Sequence, residues 1–68
     1  MKNNFSFDGG TILMRSRKVG WLHINKATQE IRAEVNVDGR RIIVLGESFD
    51  DVHRRLERSF NSGTQDAD

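Results

Sequence analysis

The dipeptide Asp38-Gly39 separates two β-rich runs, residues 30–37 and 40–45. Asp-Gly in that setting is the strongest short-range signal for a two-residue hairpin, because both turn residues must take positive φ. The turn sets the register. Val37 then faces Arg40, Val35 faces Ile42, Ala33 faces Val44, and Ile31 faces Gly46. Side chains alternate along a strand, so Ile31, Ala33, Val35, Val37, Ile42 and Val44 share one apolar face. The opposite face carries Arg32, Glu34, Asn36, Arg41, Ile43 and Leu45. A slip by one residue would exchange the faces of one strand.

A preceding run, Trp21-Leu22-His23-Ile24-Asn25, joins this hairpin through Lys26-Ala27-Thr28-Gln29. A four-residue loop sets Asn25 opposite Glu30. Leu22 and Ile24 then extend the apolar face, and Trp21 and His23 extend the mixed one.

After Gly46 the periodicity changes. Ser48 is a helix cap, with Asp51 three residues on, and Asp50 and Asp51 suit the positive end of the helix dipole. Phe49, Val52, Leu56 and Phe60 fall in one arc at about 100° per residue, with His53 inside it. Arg54, Arg55 and Arg58 lie on the other side. Asp50–Arg54 and Asp51–Arg55 have the spacing of helical ion pairs. Asn61-Ser62-Gly63 supplies a helix stop. The helix is expected to lie on the apolar sheet face.

The expected fold is α+β: a three- to five-stranded antiparallel sheet with one C-terminal helix packed on one face. The expected core is Leu22, Ile24, Ile31, Val35, Ile42, Val44, Phe49, Val52, Leu56 and Phe60. Sixty-eight residues make one domain, and at that size roughly 60% of the unfolded surface is buried. The domain is assigned to residues 1–61. Within it, residues 1–14 form either an arm or extra strands: Phe5-Ser6-Phe7 alternates, Asp8-Gly9-Gly10 is a turn signal, and Thr11-Ile12-Leu13-Met14 is β-prone. Arg15-Ser16-Arg17-Lys18 is a basic turn or strand end. Residues 62–68, with Asp66 and Asp68, have the composition of a disordered acidic tail.

Function classes narrow by chemistry. The chain has no Cys, hence no disulfide, thiolate metal site or thiol nucleophile. His23 and His53 fall on different elements and do not converge, so neither a metal site nor a general base is assembled from them. Asp8-Gly9-Gly10-Thr11 lacks the following helix or Lys of a phosphate cradle. Asp50 and Asp51 diverge around the helix and do not pair for acid–base work. The expectation is a protein that is not an enzyme and needs no cofactor. No apolar run approaches the roughly 18 residues of a membrane span, and residues 1–7 lack a signal-peptide core. A cytoplasmic protein that avoids membranes is expected.

The mixed face is the candidate binding surface, through Trp21, His23, Arg32, Asn36, Arg41 and Ile43. An aromatic group beside arginines is the composition of a binding hot spot. A sheet carrying Arg can also enter a DNA major groove. The competing reading is that residues 5–14 fold over this face and bury Trp21, Ile43 and Leu45 as a second small core. Net charge is +1, and residues 14–61 hold ten Lys/Arg against seven Asp/Glu. That is mildly basic and weaker than the footprint of many nucleic-acid binders.

Three strands followed by a helix, with Trp21, Ile31-Arg32, Leu45-Gly46 and Phe49 at the matching places, resembles the DNA-binding domain of plant ethylene-response type. That domain is shared with the arm-binding domains of phage and transposon integrases. The resemblance covers about residues 19–60. It implies that the sheet face away from the helix contacts DNA, with Trp21, Arg32 and Arg41 as the contacts. Gly46-Glu47-Ser48-Phe49-Asp50-Asp51 also resembles the helix start of HicB-like antitoxin domains, which implies a protein-blocking role. The leading expectation is therefore DNA binding through the open sheet face, accessory to a phage or mobile element. The alternative is a protein-binding inhibitor or antitoxin-like module directed at a host protein, with homodimerisation through the same face between the two.

Overall fold

The computed structural model describes residues 4–61. The expected acidic tail, residues 62–68, lies outside the described residues. The elements run β1 (Phe5–Asp8), β2 (Thr11–Met14), β3 (Arg17–Asn25), β4 (Glu30–Val37), β5 (Arg40–Gly46) and α1 (Phe49–Asn61). The strands form one antiparallel meander in the order β1-β2-β3-β4-β5, and α1 packs mainly on β5 with contacts to β4 and β1. This is the expected α+β fold, with five strands.

Asp38 and Gly39 take φ of 52° and 81°, the two left-handed positions of a tight hairpin. The β4–β5 pairing follows: Val37↔Arg40, Val35↔Ile42, Ala33↔Val44 and Ile31↔Gly46. The β3–β4 loop also has its expected length, with Asn25↔Glu30, His23↔Arg32 and Trp21↔Glu34. Asn25 closes that loop. Its Oδ1 accepts from the Ala27 and Thr28 N–H groups, and its carbonyl accepts from Gln29.

Residues 5–14 form two strands that extend the sheet beside β3. Pairing runs from Ile12 to Gly20 and from Gly20 to Val35, so Ile12 stands on the apolar face. A bulge between Ile12 and Leu13, with Val19 as the extra residue on β3, bends the strands locally. Phe5 thereby reaches the far side of α1. Its ring meets Phe60 edge-on at 5.3 Å, and Glu57 accepts hydrogen bonds from the Asn4 and Phe5 N–H groups at 2.7 and 2.8 Å. His53 Nε2 lies 2.7 Å from the Phe5 carbonyl and its ring stands edge-on to Phe7. His53 and Glu57 fasten the first strand to the helix.

The buried core is Phe5, Ile12, Ile31, Ala33, Val35, Ile42, Val52 and Leu56. Val52 and Leu56 are fully enclosed, a burial worth about 1.5–3 kcal/mol for each side chain. Two residues expected in the core are instead about half exposed. Ile24 pairs with Ile31 at the end of β3, beyond the strands that α1 covers. Phe49 is the first helical residue and meets only the edge of the sheet, with its ring 6.4 Å from that of Phe7. Leu22, Val44 and Phe60 are half-buried against the core. Phe5, Ile12 and Ala33 are buried although they were not among the expected core residues.

The helix start is built as its residues require. Ser48 Oγ accepts the Asp51 N–H at 3.1 Å, and Asp51 Oδ2 accepts the Glu47 N–H. The expected Asp50–Arg54 pair does not form. Asp51 Oδ1 instead takes both Arg54 at 3.2 Å and Arg55 at 3.1 Å. Asp51 thus spends one carboxylate oxygen on the cap and the other on the two arginines, whereas Asp50 is exposed to solvent.

Candidate binding face

With residues 5–14 inside the sheet, nothing among the described residues covers its other face. Trp21 is 51% exposed, Ile43 44% and Leu45 46%. The second small core does not form, because Phe5 and Ile12 turn to the helix side, where the larger apolar area can be buried.

Strand register lays out the face as a grid. One row is Trp21, Glu34 and Ile43. The next is His23, Arg32 and Leu45, and at the other end Asn36 stands beside Arg41. Directly opposed residues on neighbouring strands are about 5 Å apart. All six expected site residues therefore occupy one surface on three adjacent strands. Asn36 also lines a cleft of about 200 Å³ with Arg15, Arg17, Val19 and Val37, between the two turns at that end of the sheet.

Glu34 organises the centre, and the sequence reasoning did not assign it to the site. It is 9% exposed. Arg41 Nε donates to its Oε2 at 2.8 Å, and Arg32 Nη2 lies 3.6 Å from its Oε1. A carboxylate withdrawn from water needs such partners. The guanidinium groups remain outward, with side chains 51% and 65% exposed. Glu34 thus pairs, from its place between Trp21 and Ile43, with an arginine from the row on either side. The signal was present in the alternation, which places Glu34 between those two apolar groups with Arg32 and Arg41 nearby.

The face is balanced in charge. Lys18, Arg32 and Arg41 stand at its register positions, and so do Asp8, Glu30 and Glu34. His23 belongs to this face, while His53 is on the helix against Phe5 and Phe7. Among the described residues, no group of three His, Asp or Glu side chains is placed to hold a metal ion. No helix among them is long and apolar enough to cross a membrane. Comparison with protein-family models, with curated proteins and with solved structures found no match for this chain.

Proposed function

We propose that this chain is a non-enzymatic binding module that docks a partner protein on the open sheet face. The observation that carries this reading is the exposed set Trp21, Ile43 and Leu45 around the Arg32–Glu34–Arg41 cluster. Apolar groups surrounding preset polar ones make a suitable interface centre: the rings and methyl groups supply area, and the held arginines supply direction at reduced entropic cost. An inhibitor or antitoxin-like role against a host protein is the form of activity such a surface serves.

DNA binding through the same face is the second reading, supported by Trp21, Arg32 and Arg41 standing on adjacent strands. The charge balance of the face favours protein. Phosphate contacts draw their strength from uncompensated cations, and Glu34 already occupies both arginines.

The test is retention of lysate components on the immobilised protein and on a Trp21→Ala/Ile43→Lys variant, with and without nuclease. A protein held by the parent, lost by the variant and indifferent to nuclease is expected. Loss of every component after nuclease, with retention falling steeply as salt rises, would transfer the reading to DNA. Equal retention by parent and variant would reject the face for both.

A further inference from the structure

The two edges of the sheet are finished differently. A two-residue hairpin pairs its flanking residues by hydrogen bonds and points the backbone groups of every second residue outward. On β1 the outward residues are Phe5 and Phe7, and α1 satisfies those of Phe5: Glu57 accepts the Phe5 N–H and His53 meets the Phe5 carbonyl. On β5 the outward residues are Arg41, Ile43 and Leu45, alternate to the bonded positions Arg40, Ile42 and Val44. No hydrogen bond among the described residues reaches those groups. β5 has seven residues, three of them β-branched, and no proline or bulge. An edge of that kind is a template for another strand unless something blocks it.

Beside this edge runs an open groove of about 430 Å³, lined by Ile43, Val44, Leu45, Arg55, Arg58 and Ser59. Arg55 is bound to Asp51. Arg58 has no ion-pair partner among the described residues. The groove therefore offers unpaired backbone on one wall and cationic side chains on the other.

We propose that the β5 edge takes an extended acidic peptide of a partner protein as a sixth strand. Alternate peptide side chains would point to opposite faces of the sheet. Those on the helix side meet Arg55 and Arg58 and are acidic. Those on the open side lie beside Ile43 and Leu45 and are apolar. A second copy of this chain is the poorer occupant, because pairing β5 with β5 brings Arg41, Arg55 and Arg58 of both copies together. This site borders the open face through Ile43 and Leu45 but rests on the β5 edge and Arg58, not on Trp21 or Glu34.

The probe is a capped nine-residue peptide alternating glutamate and valine, titrated calorimetrically into the full chain. Saturable binding is expected, with Arg41, Ile43 and Leu45 amides gaining protection from hydrogen exchange. Arg58→Glu, which breaks no ion pair seen in the fold but opposes the helix dipole, is expected to weaken binding at least tenfold while the cooperative melt is retained. A peptide N-methylated at alternate residues, on the edge facing β5, is expected not to bind. Trp21→Ala is expected to leave peptide binding intact, which separates this site from the open-face reading. Undiminished binding of the N-methylated peptide or by the Arg58→Glu variant would overturn the proposal. So would dimerisation without peptide uptake in sedimentation, or no binding at millimolar peptide.

Discussion

Val35 and Glu34 are neighbours on β4, yet they belong to two different surfaces. Val35 is fully buried against Val52 and Leu56 in the core cluster, while Glu34 faces Trp21 and Ile43 on the uncovered side. The two faces share five strands and differ only in the parity of the residue. On the helix side, the apolar groups beneath α1 are enclosed and their identity is explained by stability, while Ile24 and Phe49 are about half exposed at the margins of the helix. On the open side, apolar groups of similar size remain near half exposure, and stability does not explain them. Such a contrast within one sheet is how an interaction surface is recognised without reference to any relative.

A matched pair of charges gives the largest test of that contrast. Val35→Asp places an unpaired carboxylate in the core at several kcal/mol, comparable to the whole stability of a domain this small. Loss of the cooperative thermal transition, followed by circular dichroism, is expected. Ile43→Lys sits on the neighbouring strand and the opposite face, beside Glu34. It is expected to change stability by less than about 1 kcal/mol. Equal damage from both would erase the distinction between the faces.

Gly20 probes how tightly the covered side is built. It stands between Ile12 and Val35 across three strands. A Cβ at this position would collide with the Glu34 carbonyl oxygen and lie 2.8 Å from the Val35 Cα. Both are backbone atoms, so β3 and β4 would have to separate. Gly20→Ala is expected to cost about 3 kcal/mol in urea denaturation. A cost near zero would show that the sheet bends more freely there than its packing implies.

The same contrast explains what was legible in the sequence. The β3–β4–β5 register followed from Asp38-Gly39 and from one loop length, and with it the composition of the open face. The β2–β3 turn gave no such signal. Arg15 and Ser16 occupy its two central positions with φ of 53° and 69°, in a region that glycine and asparagine prefer. The expected basic turn or strand end at 15–18 is a turn, but residues disfavoured in that conformation fix no register, so the placement of Phe5 and Ile12 stayed open between two faces. Ile24 and Phe49 failed for another reason. Periodicity assigns a residue to a face, but how far the covering helix reaches is decided by tertiary packing. Glu34 is the third case: the register already set it between Trp21 and Ile43, but its burial and its pairing with both arginines are decided by side-chain packing.

That turn yields the next test in order of size. Two non-glycine residues in the left-handed region cost roughly 1–2 kcal/mol each. Arg15→Asn/Ser16→Gly retains the turn and relieves the strain. A gain of about 1 kcal/mol is expected, which for a domain of this length raises Tm by about 4–8 °C. The substitution lies at the end of the sheet and leaves Trp21, Arg32 and Arg41 in place, so stability would rise with open-face binding unchanged. A rise in stability with a fall in binding would mean that Arg15 belongs to the binding surface through the cleft it lines with Asn36.

The smallest effect concerns the helix start. The Arg55 guanidinium hydrogen-bonded to Asp51 holds its carboxyl below the usual carboxylate range, helped by the Glu47 N–H and by Arg54. A folded-state pKa lowered in this way contributes stability above the unfolded value of 3.8. The contribution is lost as pH falls through the lowered folded value. Asp51 also joins Glu47 to the helix, and so fixes the connection from β5 to α1. Stability measured by denaturant between pH 7 and pH 2 is expected to show an acid-side decline that Asp51→Asn reduces. The parent and variant curves should converge at the acid end, where the carboxyl is protonated in both states. Because these side chains lie at the surface, salt screening should shrink the difference. A difference that persists unchanged in molar salt would assign the role of Asp51 to its cap hydrogen bonds and not to the charge of Arg54 and Arg55.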